Sequence, residues 1–202
     1  MFLRMEQHLI MKLIWSCVRL RKGQWRGLKQ SDFLIAFIAE GSAEQAILDV
    51  LLAHKALIYK REDMLQEEVI RYRSGEKFAR NYLNKSMHKK VKIYRVLDSK
   101  REKFKLNKAY LCKVATIDNV YTRPEIEILF IIYHDDYERF CKQKLKPSDF
   151  VKKYYHDLVQ VKAYNEVYDF WNDHYQELLV VLRKYRKYHR GSKEMTLADL
   201  LK

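Results

Sequence analysis

Glycine and proline are scarce, five and two in 202 residues. Collagen-like and linker-rich chains are thereby excluded, and an all-β architecture with many tight turns is disfavoured. Cysteine is equally sparse. Cys17, Cys112 and Cys141 form an odd set with no CxxC pair, so neither a disulfide framework nor a structural zinc site is expected, and a reducing cytoplasmic setting is. No stretch reaches the ~18 consecutive apolar residues of a membrane span, so integral membrane association is not expected. The basic, apolar start is interrupted by Glu6, Gln7, His8 and Lys12 and followed by no small-residue cleavage site, unlike a secretory signal. There is no GxSxG elbow, no Cys/His nucleophile arrangement and no glycine-rich phosphate loop. Gly23 and Gly27 fit neither dinucleotide nor P-loop spacing, so any NTPase activity would come from a partner.

What is present is an ample core and a surplus of positive charge. Hydrophobic residues make up 48% and aromatics 13%, which excludes a disordered chain. At 202 residues, one domain with a modest appendage is expected. Lys and Arg number 40 against 26 Asp and Glu, leaving +14. That balance calls for an anionic partner, nucleic acid or a lipid headgroup surface, and charge alone does not choose between them.

Along the chain, residues 2–20 carry apolar positions at helical spacing, with Arg4, Lys12 and Arg19 among them. A helix packed on the domain edge, a membrane-surface helix and a segment without order all remain open there, and residues 21–27 read as a loop. The run 33–39, FLIAFIA, suits a strand buried on both faces. Glu40-Gly41 ends it, and Ser42 caps a helix running to about His54. Residues 56–59 read as a second strand, 61–72 are left open, and 74–83 look helical. Residues 91–97 form an alternating strand ending in Asp98, and 114–121 a weaker one. Pro124 suits a first helical turn, Pro147-Ser148 opens another helix, and 159–189 carries a long helical pattern ended by Gly191. Thr196 begins a last short helix.

Two of these strands end in an acid. In open α/β sheets ligands bind beyond the carboxyl ends of the strands. If the two strands are parallel neighbours, Glu40 and Asp98 emerge at one edge. Two such carboxylates repel unless they share a proton or cation, and hard oxygen ligands suit Mg²⁺ with water and substrate phosphate completing its shell. The alternative is that both acids are turn residues or helix caps.

The stretch Arg21-Lys22, then residues 33–39, then Glu40-Gly41-Ser42-Ala43-Glu44 resembles the opening of the RloB-like proteins, which are TOPRIM-fold proteins associated with restriction and abortive-infection systems. Tyr94-Arg95-Val96-Leu97-Asp98 looks like the strand carrying the TOPRIM aspartates, and residues 123–129 resemble the helix led by Pro-x-x-Glu. The resemblance spans about residues 21–155 and implies a small, mostly parallel sheet between helices. It further implies a Mg²⁺- (or Mn²⁺-) dependent nuclease, or a nuclease-derived effector, in anti-phage defence. Glu40 would be the general acid/base and metal-side carboxylate, Asp98 a metal ligand, and Glu44 and Glu127 neighbours of the site. The family's Asp-x-Asp reads Asp98-Ser99-Lys100 here. Either Glu102 or Glu127 substitutes, or metal binding weakens, or Lys100 contacts phosphate in an inactive descendant.

For nucleic acid, Lys100 and Arg101 stand beside the site. Residues 183–193 hold six Lys/Arg and no acid, and Arg183, Arg186, Lys187 and Arg190 share a helix face, with Lys184 adjoining, that could follow a phosphate backbone. Complementing a helix C-terminus is the plainer role for such cations. Lys85, Lys89, Lys90 and Lys92 form a second cluster that reads equally as a solvated loop. His134, Asp135 and Asp136 read as a polar helix face or a helix end rather than a metal trio. The expected organisation is an N-terminal helix and basic loop (1–30), a TOPRIM-like α/β domain (31–155) and an α-helical C-terminal extension (156–202). A catalytically inactive nucleic-acid-binding or protein-interaction module is the rival to the nuclease, and a partner ATPase or other defence-system protein is the expected associate.

Overall fold

In the computed structural model, which describes residues 32–100, 103–156 and 163–202, the apolar run is strand β1 (Phe33–Ala39). It leads through Glu40-Gly41 into α1 (Ser42–Ala53). Two 3₁₀ turns, Arg61–Asp63 and Leu65–Glu67, precede the two-residue strand β2 (Ile70–Arg71). Next come α2 (Gly75–Phe78), continued by a π-helical turn over Ala79–Leu83, and β3 (Lys90–Leu97). Helix α3 (Lys108–Leu111) and β4 (Val114–Tyr121) complete the sheet. Helices α4 (Ile128–Tyr133), α5 (Tyr137–Cys141), α6 (Pro147–Tyr154), α7 (Tyr164–Asp173) and α8 (Tyr175–Tyr188) follow, with a final 3₁₀ turn over Leu197–Leu200. The protein is an α/β fold, and residues 33–202 form one compact unit.

All strand pairings are parallel, in the order β2-β1-β3-β4. The chain steps from β1 outward to β2, then crosses back to lay β3 on β1's other side. The direction of progression therefore reverses between β1 and β3, and their carboxyl ends flank the crevice where such sheets bind ligands. Ala39 pairs with Val96, so Glu40 and Asp98 leave the same edge one residue out of step.

Side chains alternate across β1. Ile35, Phe37 and Ala39 enter a large core shared with α1, α4, α7 and α8. Ala36 and Ile38 enter a smaller core with Phe78, Leu83, Val91 and Ile93. A strand buried on both faces must be apolar at every position, which is why the run is continuous. On α1 the buried acid Asp49 is accounted for structurally: Arg61 donates to it at 2.6 Å and the Tyr164 hydroxyl at 3.0 Å.

Several local readings change. Residues 56–59 are not a strand; Leu57 makes a single antiparallel bridge to Leu201, and the Tyr59 hydroxyl bonds that of Tyr94 at 2.7 Å, so the apolar character serves core contact. The strand beside β1 is Ile70–Arg71 instead. Gly41, not Ser42, is the N-cap of α1. Pro124 follows a cis peptide bond in the turn before α4 rather than opening the helix. The long C-terminal pattern is two helices, interrupted at His174, whose backbone leaves helical geometry (φ −109°, ψ 40°). Residues 1–31, 101–102 and 157–162 lie outside the described residues, and with them the N-terminal helix and basic loop. Among the described residues no helix is long and apolar enough to cross a membrane.

Gly75 illustrates how tightly the smaller core is closed. A Cβ at this position would lie 2.5 Å from the Lys105 carbonyl oxygen and 2.9 Å from its carbon. Removing glycine from a helix gains roughly 0.5–1 kcal/mol, but backbone atoms cannot swing aside as side-chain ends can, and such overpacking costs roughly 1–3 kcal/mol. Gly75→Ala is expected to be net destabilising in urea denaturation. A raised midpoint would show that the neighbouring 103–106 segment yields freely.

Candidate functional site

The carboxyl ends of all four strands feed one cleft. β1 delivers Glu40, β3 delivers Asp98, and the segment after β2 delivers Arg73. Beyond β4 the chain turns through Thr122, whose backbone N–H donates to Leu97 O at 2.9 Å, and the segment after the cis Arg123–Pro124 bond places Glu125 and Glu127 at the same edge. Helix α1 adds Glu44. The cleft holds about 170 Å³, against the roughly 10–15 Å³ one water needs, so a hydrated ion fits. Four of the five acids expected at the metal are brought together here: Glu40, Glu44, Asp98 and Glu127. Glu102 lies outside the described residues.

The loop chemistry explains this crowding. A Cβ at Gly41 would meet Glu44 Oε2 at 2.7 Å, so any larger residue there would displace the end of that side chain from its place against the turn. Burial, opposed by a hydrogen bond from Glu44's own backbone N–H, and reinforced by the charges of Asp98, Glu127 and Glu40, raises the Glu44 carboxyl from 4.5 to about 7. Near neutrality the cluster therefore binds a proton that an isolated glutamate would have released. Glu127, fully buried, immediately precedes α4. Glu125 has a structural task, accepting from the Ser148 backbone N–H at 2.9 Å at the start of α6.

The cations are distributed unevenly. Arg73 approaches Glu40 at 3.9 Å with an exposed side chain, a loose pair of small energetic weight. Lys100 does not enter the space between Glu40 and Asp98; its ammonium pairs with Glu194. In the 183–190 stretch Lys184 pairs with Asp135 at 3.1 Å and Arg186 with Asp199 at 3.0 Å, whereas Arg183, Lys187 and Arg190 are exposed. The stretch is thus divided between packing and solvent. Arg101 lies outside the described residues. His134 ends α4, Asp135 has a left-handed backbone (φ 59°) and Asp136 begins α5, which makes the trio a helix junction.

Arg73 and Glu194 were not legible as site neighbours. Arg73 lies two residues past a strand too short for a periodicity signal. Glu194 has a faint one, being the first acid after the basic stretch. Among the described residues no group of three or more Asp, Glu, His or Cys side chains is arranged to hold a metal ion. The donor set nevertheless fits a hard divalent cation held by one or two carboxylates and water, the usual mode for Mg²⁺. Comparison with family models, curated proteins and solved structures finds no match to this chain.

Proposed function

We propose that the chain is a divalent-cation-dependent phosphodiesterase of TOPRIM type, a cytoplasmic nuclease or nuclease-derived effector of anti-phage defence related to the RloB-like proteins and acting on DNA or RNA. One observation carries this reading: Glu40, Glu44, Asp98 and Glu127 line a single cleft at the switch point of a parallel sheet in a chain of net charge +14. Glu40 and Asp98 would hold Mg²⁺ or Mn²⁺, with Glu44 and Glu127 behind them. When bound, the cation would supply charge to the phosphodiester and its developing negative oxygen. Glu44, titrating near pH 7, is suited to hold or release a proton beside Glu40 at neutral pH. Arg73, and the exposed Arg183, Lys187 and Arg190, would attract the phosphate backbone, and a partner ATPase or other defence protein would control access.

The second reading, a nucleic-acid-binding or interaction module without catalysis, is favoured by one departure. Lys100 stands where the resembled family has its second aspartate, and it is paired with Glu194 rather than contributing an oxygen. Incubating labelled DNA and RNA with the parent, Glu40→Ala and Asp98→Ala proteins in Mg²⁺ or Mn²⁺ separates the two. Cleavage by the parent alone is expected. Equal traces in all three would mark a contaminant and leave the binding module.

A further inference from the structure

Glu194 sits on two cations from different loops. Arg123 Nη2 donates to its carboxylate, lying 2.9 Å from Oε1 and 2.8 Å from Oε2, and the Lys100 ammonium pairs with Oε1. Lys100 lies two residues beyond Asp98, and Arg123 two before Glu125, so both rise from loops that line the carboxylate cleft. Burial pushes the Glu194 carboxyl up, but the Lys100 hydrogen bond and then the Arg123 hydrogen bond and charge outweigh it and hold the carboxyl below its ordinary range.

The cradle is built rather than accidental. Tyr185 fixes Arg123 from below, its hydroxyl accepting from Arg123 N at 2.7 Å and donating to Arg123 O at 3.0 Å. The segment bearing Glu194 is laid along the sheet edge: Met195 bridges Val120, and its carbonyl accepts from Tyr121 N at 2.8 Å. Arg123 Nε is buried and bonds no described residue, so a phosphate would meet Nη2, the atom that now holds Glu194. The side chains of Lys100 and Arg123 remain 56% and 36% exposed, within reach of a ligand.

A carboxylate held between an arginine Nη2 and a lysine ammonium occupies the place a phosphate would take, since both cations bind either anion through charge-assisted hydrogen bonds. We infer that Lys100 and Arg123 form a phosphate-binding subsite for a nucleic-acid backbone, and that Glu194 is an internal competitor which must leave it when substrate binds. The inference rests on the nucleic-acid part of the proposed function and is independent of catalysis.

The test is anisotropy titration of a labelled single-stranded oligonucleotide in EDTA. If Glu194 closes the subsite about nine-tenths of the time, Glu194→Gln tightens binding roughly tenfold. The log–log salt slope stays close to the parent's, because both bound states make the same phosphate contacts. Glu166→Gln on α7, an exposed position making the same charge change, is expected to bind as the parent does. Adding Lys100→Ala to Glu194→Gln should erase most of the gain. Equal affinities for Glu194→Gln and Glu166→Gln, or a gain that survives loss of Lys100, would overturn the inference. Binding by none of the proteins would instead remove the nucleic-acid reading itself. Should Glu194→Gln fail to fold, the parent suffices: its Arg123 Nε–H resonance is expected to shift on oligonucleotide addition, and an unmoved resonance at saturation refutes the subsite.

Discussion

Trp171→Ala is expected to destabilise the protein by about 3–5 kcal/mol, a large part of a typical domain's stability. Trp171 is fully buried on α7, with its ring 5.1 Å from Phe130, 4.9 Å from Phe170 and 5.7 Å from Tyr133. Phe130 and Tyr133 belong to α4, whose start is set by Glu127. The same ring thus fixes the helix that places a cleft carboxylate. Its Nε1–H is buried without a hydrogen-bond partner among the described residues, and that unmet donor already carries a desolvation cost. Trp171→Phe removes the donor while keeping most of the aromatic contact, so its cost should stay within ~1.5 kcal/mol. Thermal and urea melts of the two variants test the contrast. Equal losses would show that a phenyl ring keeps none of the packing of the larger indole against α4.

The legible parts of this fold are those where one physical demand acts on many consecutive residues. Burial on both faces required β1 to be apolar throughout, and β3 and β4 show enough of the same demand to be read. Helix α1 carries its period over three turns. The acids at the ends of β1 and β3 could be marked because an acid ending an apolar run stands out. Where the demand is confined to one or two residues, sequence offers little. Ile70–Arg71 is a strand only because Ile38 and Ala39 lie beside it. Leu57 and Tyr59 have strand-like composition but are drawn in by Leu201 and Tyr94 at distant positions. The 183–190 run reads as one basic face, yet Asp135 and Asp199 take two of its cations. Partner choice of this kind is tertiary, and no local spacing encodes it. The same holds for Lys100, whose departure from the Asp-x-Asp pattern is plain in sequence while its grip on Glu194 is not.

Glu44→Gln is expected to abolish a pH-dependent loss of stability worth about 3 kcal/mol. The carboxyl is raised from 4.5 to about 7, by burial first, with its own backbone N–H opposing and the charges of Asp98, Glu127 and Glu40 adding to the rise. Between those values the folded protein binds more protons than the unfolded chain, so stability falls as pH increases. It is unaffected below about 4.5, declines through the interval and bears the whole penalty above about 7. At ~1.36 kcal/mol per pH unit the interval corresponds to about 3 kcal/mol. Glutamine occupies the same space and cannot ionise, so the difference in urea stability between parent and variant should grow by that amount from pH 4.5 to 8. Parallel curves would mean that Glu44 finds water or a cation-like partner in solution. A divalent cation supplies the complementary arm. If Glu40 and Asp98 hold it as proposed, it would stabilise the folded state by mass action and offset the repulsion that helps keep Glu44 protonated. Millimolar Mg²⁺ or Mn²⁺ should therefore raise the parent's melting temperature more at pH 8 than at pH 5, and should leave Asp98→Ala unmoved. A cation response that persists in Asp98→Ala would place the ion elsewhere on the protein and separate the acidic cleft from metal chemistry.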